Sequence, residues 1–126
     1  MKLHSSDTAG LLAITAYDAE SIAVNGRRLT KSFLLTPHRL IEDWPPASVD
    51  SLTETDLQAI AELGCPIVLL GTGPRQRFPA TALLRPLIQR RVGVEVMDSH
   101  AACRTYNILM AEGREVAAAL IIECAT

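Results

Sequence analysis

The chain has 126 residues, 48% hydrophobic and 21% charged, with a formal net charge of −2. That balance suits one folded domain over residues 1–126, argues against disorder, and gives no electrostatic footprint for nucleic acid. The longest apolar run, Val116 to Ile122, is too short to span a bilayer, and Met1-Lys2-Leu3-His4-Ser5-Ser6-Asp7 has no apolar signal core, so a cytoplasmic location is expected.

The N-terminal third reads as β structure. Ala13 to Tyr17 and Ser21 to Val24 are short strands around Asp18-Ala19-Glu20. Asn25-Gly26 then predicts a type I′ hairpin turn, whose two central residues need positive φ, with Arg27 to Leu29 pairing back across it. Ser32 to Thr36 is a further strand, stopped by Pro37, and His38 after it is a loop residue. Trp44-Pro45-Pro46 excludes helix and sheet interior, and Trp44 plugs one end of the core. Ser51 to Leu63 predicts a helix, with Thr53 as N-cap and Gly64 as stop.

From Pro66 the pattern changes. Ile67-Val68-Leu69-Leu70 is the continuous run of a strand buried on both faces, and Gly71-Thr72-Gly73-Pro74 is a turn. Pro79 to Arg91 predicts a helix, with Pro79 in its first turn and Pro86 kinking or splitting it. Val92, Val94 and Val96 alternate at strand period, Asp98 or Ser99 caps a helix over Ala101 to Glu112, Gly113 ends it, and Val116 to Ile122 is a second buried strand. The expected fold is α/β: a three-layer single domain in which N-terminal β-hairpins precede a βαβαβ unit with a mostly parallel central sheet.

Two segments are candidates for carrying chemistry, the first of which reads equally as a tight turn. Gly71-Thr72-Gly73 lies where a strand meets a helix, the place where open α/β sheets bind anions; Glu95 and Asp98 follow at the next strand end. The dinucleotide fingerprint fails, because Gln76 stands where a third glycine is required and Pro74 has no N–H to donate. The second segment runs from Glu95 to Asn107. Three uses compete for its polar side chains: capping and buried hydrogen bonds, contact with a ligand or partner, and catalysis. The candidate ligand or partner pocket is therefore Gly71, Gly73, Arg75, Asp98, Ser99, Arg104, Thr105 and Asn107.

No catalytic residue and no metal ligand is assigned. His100 and Cys103 have the minimum spacing for a Cys–His pair, but His4 and His38 are scattered. Cys65, Cys103 and Cys124 form no CxxC pair and are expected as reduced thiols packed as small hydrophobes. Arg75, Arg77, Arg85, Arg90 and Arg91 fall within seventeen residues and read either as solvated faces or as a patch for an anionic partner.

The blocks Gly71-Thr72-Gly73 with Pro79, Glu95 through Thr105-Tyr106-Asn107, Glu112-Gly113-Arg114 and the Ala-rich last strand together resemble one family of small domains. It is a domain-of-unknown-function family that includes a mitochondrial respiratory complex I assembly factor and uncharacterised bacterial proteins. The resemblance runs from about Ser21 to Ile122, and Ser99 stands where threonine is expected. It implies a three-layer α/β fold, no established cofactor or catalytic residue, and, for the mitochondrial relative, an assembly role through protein contacts. The leading expectation is a non-enzymatic binding or assembly module with a protein partner, without nucleic acid or a transmembrane segment, and with homo-oligomerisation open. The alternative is a small-molecule or anion-binding protein or enzyme using the polar cluster.

Overall fold

A computed structural model describes residues 10–123. His4, the opening heptapeptide and Cys124 lie outside the described residues. Strands β1 (Ile14–Tyr17), β2 (Ile22–Val24) and β3 (Arg27–Leu29) form a three-stranded antiparallel sheet. Asn25 and Gly26 have φ of 47° and 86°, the pair of positive values a type I′ turn demands. Asn25 also ties the turn to the preceding chain: its Oδ1 accepts from Ala13 N at 2.8 Å, and its Nδ2 donates to Leu11 O.

The larger sheet contains β4 (Phe33–Leu35), β5 (Leu40–Ile41), β6 (Ile67–Gly71), β7 (Gly93–Met97) and β8 (Val116–Leu120), in the order β5-β4-β8-β6-β7. Its β6·β7 and β6·β8 pairs are parallel, whereas β4 pairs antiparallel with both β5 and β8. The sheet is therefore mixed, not mostly parallel. The reason is local: β4 and β5 join the larger sheet instead of the N-terminal hairpin, and they turn sharply at Thr36, whose hydroxyl accepts from His38 N and Arg39 N.

Three α-helices pack on these sheets: α1 (Glu54–Ala61), α2 (Arg85–Gln89) and α3 (Ser99–Ala111). Thr53 caps α1 reciprocally with Asp56, but the helix begins later than the hydrophobic stripe predicts. A separate 3₁₀ turn at Val49–Ser51 takes up the earlier residues. The expected helix from Pro79 to Arg91 is a 3₁₀ turn at Thr81–Leu84 followed by the short α2, with Pro86 rather than Pro79 in the first helical turn. Proline cannot donate the N–H that a continuous helix would need there.

The all-buried β8 explains how the two faces of the larger sheet are covered. Val116, Ala118 and Leu120 meet Tyr106, Cys103 and Ala102 of α3, together with Ile14, Ile22 and Val24 of the small sheet. Ala117 and Ala119 on the opposite face pack with Leu57 and Ile60 of α1, Leu87 of α2, and Trp44. Alanine at these central positions lets helices approach both faces closely. Trp44 is buried in the second group and donates Nε1–H to Asp56 O at 3.1 Å.

Candidate functional site

Strands β6 and β7 end, α3 begins and β8 ends within one small region at the carboxyl side of the parallel strands. Ser99 is its pivot. Its buried hydroxyl donates to Ile121 O at 2.6 Å and accepts from Gly73 N at 2.8 Å, while Ser99 N donates to Gly73 O. Ile121 N in turn donates to Gly71 O. These four bonds join three chain segments around one side chain.

The two glycines have different reasons. At Gly71 a Cβ would lie 2.9 Å from Ser99 Cα and 3.0 Å from its Oγ, so only a hydrogen lets the strand end touch the helix start. Gly73 has φ of +95°, a region that side chains rarely occupy. Between them Thr72 is fully buried; its hydroxyl lies 2.7 Å from Arg75 O and 3.1 Å from Met97 O, and accepts from Arg77 N.

The amino end of α3 is similarly occupied. Asp98 Oδ1 accepts from Ala101 N at 2.8 Å, Asp98 O accepts from Ala102 N, and Ser99 N goes to Gly73. An anion arriving there would have to compete with acceptors already in place.

Further along α3 the side chains reach the small sheet. Asn107 Oδ1 accepts from Ile14 N at 2.9 Å and its Nδ2 donates to Ile14 O at 2.8 Å. Its amide thus imitates a neighbouring strand on the outer edge of β1. Tyr106 donates its hydroxyl to Leu12 O at 2.7 Å, and burial raises the pKa of that phenol. Arg104 Nη1 donates to Tyr17 Oη at 3.0 Å, the contact chiefly responsible for raising the arginine's pKa. The Tyr17 ring lies 4.4 Å from that of His100, whose Nε2 is 2.8 Å from Asp18 O and so carries the hydrogen. Asp18 itself is held below the usual carboxylate range, first by the Glu20 N–H and then by the Ser21 hydroxyl.

The structure brings together four of the eight candidates, Gly71, Gly73, Asp98 and Ser99. Arg75 is exposed on the loop beyond them, Arg104 reaches Tyr17, Thr105 is half-buried, and Asn107 lies two turns along the helix. Of the eight, Gly73 and Ser99 line a shallow pocket of about 60 Å³ that also touches Asp18, His100 and Glu123. His100 and Cys103 do not form a pair: Cys103 is wholly buried, and burial pushes its thiol up to about 12. Cys65 is a half-buried free thiol, also raised by burial and then by Glu115. No group of three or more His, Cys, Asp or Glu among the described residues is arranged to hold a metal ion.

Sequence reasoning missed Tyr17, Phe78 and Ile88. Phe78 and Ile88 are 73% and 57% exposed, unusual for apolar side chains in a chain with 4% aromatics. The position of Phe78 between Arg77 and Pro79, outside any periodic segment, was the available signal.

Comparison with known proteins places this geometry among others. The profile of a family described as "Protein of unknown function (DUF498/DUF598)" matches residues 14–121. A human protein named NADH dehydrogenase [ubiquinone] 1 alpha subcomplex assembly factor 3 is 32% identical over 96% of this chain and 66% of its own length. The chain spans 59% to 66% of the length of the mammalian relatives it matches. The crystal structure of a Bordetella parapertussis protein superposes with a TM-score of 0.84 at 41% identity, covering 90% of this chain and 97% of that one. A Bordetella pertussis solution structure described as an Mth938-like domain gives 0.81 at 35% identity, covering 96% and 92%.

Proposed function

The chain belongs to the DUF498/DUF598 family, and we propose that it acts as a single-domain, non-enzymatic contact module in the assembly of a larger complex. The observation that carries this reading is the division of labour between its polar and apolar side chains. Gly73, Asp98, Ser99, Arg104 and Asn107 are each bonded within the chain. Phe78, Ile88 and Ile108, by contrast, are largely exposed. Exposed apolar side chains beside polar ones are the raw material of protein interfaces.

Relatives named as NADH dehydrogenase assembly factors support an assembly role of the same type. No helix among the described residues is long and apolar enough to cross a membrane. The expected cytoplasmic location belongs to this proposal. A small-molecule or anion site is not favoured, since Ser99 N, Ala101 N and Ala102 N at the amino end of α3 already have acceptors.

The test is affinity purification of the tagged full chain, expressed at its natural level, after mild cross-linking in its own cells. Subunits of one multi-subunit complex, recovered in fixed proportion, are the expected result. Recovery of nothing above an untagged control would contradict the reading.

A further inference from the structure

The two sheets present four outer edges, and three are closed or blunted. Strand β1 is bonded at Ile14 N and O by Asn107. Strand β3 has three residues, two of them arginine. Strand β5 has two residues, and Glu42 just beyond it is locked to Arg27 at 2.7 Å. Short, charged or covered edges are the usual defences against unwanted strand pairing. Strand β7 is the least protected: it has five residues, its one charge is Glu95, Gln76 covers only Val96 O, and among the described residues it borders β6 on one side only.

Its register tells which backbone groups face out. Gly93 N donates to Pro66 O, and Met97 O accepts from Thr72 N. In a parallel pair the bonding residues alternate, so Gly93, Glu95 and Met97 turn towards β6 while Val94 and Val96 turn outward. A side-chain donor confirms that orientation, since Gln76 Nε2 reaches Val96 O at 3.0 Å. Among the described residues, the Val94 N–H and C=O and the Val96 N–H remain for an incoming strand.

Charge in the segment leading into this edge is one-sided, although Glu95 stands exposed on β7 itself. Between Glu62 and Glu95 the sequence has five arginines and no acidic residue or lysine, while the rest of the chain holds all 14 acidic and only seven basic residues. Arg77 is paired with Asp50, at 2.6 Å. Arg75, Arg85, Arg90 and Arg91 have no carboxylate partner among the described residues, although Arg90 Nη1 also donates to Ala61 O. The exposed Ile88 lies on α2 between Arg85 and Arg91, and Val92 N is bonded to Leu87 O, which keeps α2 against the start of β7.

We infer that the outer edge of β7 docks an extended, acidic segment of a partner protein as a sixth strand of the central sheet. Backbone pairing at Val94 and Val96 supplies register, the arginines supply preference for acidic side chains, and Ile88 and Phe78 meet its apolar ones. A second copy of this chain fits less well. Pairing β7 with itself about a two-fold axis would set one arginine-bearing strip beside the same strip of the other copy. This inference deepens the contact-module reading and rests on it.

The probe is a short fluorescent peptide alternating glutamate and valine, compared with its lysine–valine counterpart and with oligouridylate. The glutamate peptide is expected to bind at least about tenfold more tightly than the lysine peptide and to weaken as salt rises. On binding, the Val94 and Val96 amides should become slow to exchange. Val94→Pro should abolish binding. Proline is tolerated on an edge strand where the N–H faces solvent, and an unchanged far-ultraviolet spectrum verifies the fold. Arg85→Glu with Arg91→Glu, both on the surface, should invert the peptide preference.

Absence of glutamate-peptide binding at millimolar concentration overturns the inference. So does equal or tighter binding of the lysine peptide or oligouridylate, binding unaffected by Val94→Pro, or a dimer that Val94→Pro dissociates. The two readings fail separately. If the Val94→Pro chain still recovers the same complex from cells, β7 is the wrong surface and the contact-module reading stands. If wild-type chain recovers nothing while the peptide binds at β7, the reverse holds.

Discussion

Two neighbouring regions of this chain use polar residues in opposite ways. From Asp98 to Asn107, each side-chain bond closes inward: onto Gly73, Ile121, Ala101, Asp18, Tyr17, Leu12 or Ile14. From Pro74 to Arg91, few side chains find an internal partner, the helices are short, and Phe78 and Ile88 stand in solvent. A concentration of polar residues at a strand end is thus a poor guide to a binding site by itself. Here the region richest in hydrogen-bonding side chains spends them on bonds within the chain, and the plainer region leaves apolar and arginine side chains exposed.

The comparison is broken most severely at Gly71. Gly71→Ala places a methyl group 2.9 Å from Ser99 Cα, a backbone atom that cannot swing aside. A loss of about 3 kcal/mol is expected, the upper range for overpacking, read as a lowered denaturant midpoint. Asn107→Ala comes next. It leaves Ile14 N and O without their partner in a part-buried position, and about 2 kcal/mol should be lost. Thr105→Ala, two residues earlier on the same helix, is expected to stay within about 0.5 kcal/mol, because alanine is the better helix former. In the other region, Phe78→Ala should leave the midpoint unchanged while weakening partner capture.

The thiols give a kinetic contrast. With its pKa near 12 and no solvent exposure, Cys103 should resist iodoacetamide at pH 8 until the chain unfolds, while the half-buried Cys65 reacts slowly in the native state. Peptide mapping by mass spectrometry reads both. The smallest effect concerns the surface ion pairs. Glu42 and Asp50 are held below their ordinary carboxylate values, first by hydrogen bonds from Arg27 and Arg77 and then by their charge. A depressed folded-state value contributes stability at neutral pH that is lost as pH falls through the carboxylate range. Both pairs are exposed, so Arg27→Gln should only slightly flatten the acid limb of a stability–pH curve.

Much of the fold was legible because its signals are local. The runs at Ile67 and Val116 are aliphatic enough to mark buried strands, Asn25-Gly26 fixes its own turn, and Thr53 and Gly64 bracket a helix. The mixed character of the larger sheet was not legible, since Phe33–Leu35 carries no mark of choosing Ala118 to Leu120 over the adjacent hairpin. The same limit applies to the polar block. Capping by Asp98 follows from its position, but Asn107 bonds a residue 93 positions away, and no spacing rule reaches that far. Asparagine in mid-helix signalled that some outside bond holds it, without indicating whether that bond is to a ligand or to this chain.

The most direct test of the inward-facing role of the α3 block is amide hydrogen exchange in Asn107→Ala, measured residue by residue. Faster exchange is expected at Ile14 and through β1 and β2, with β6 and β8 still protected, because β1 loses its backbone bonds to α3 at Ile14 while the larger sheet keeps its own ladder. Unchanged protection at Ile14 and an unchanged midpoint would contradict it and return Asn107 to the list of residues free to bind something else.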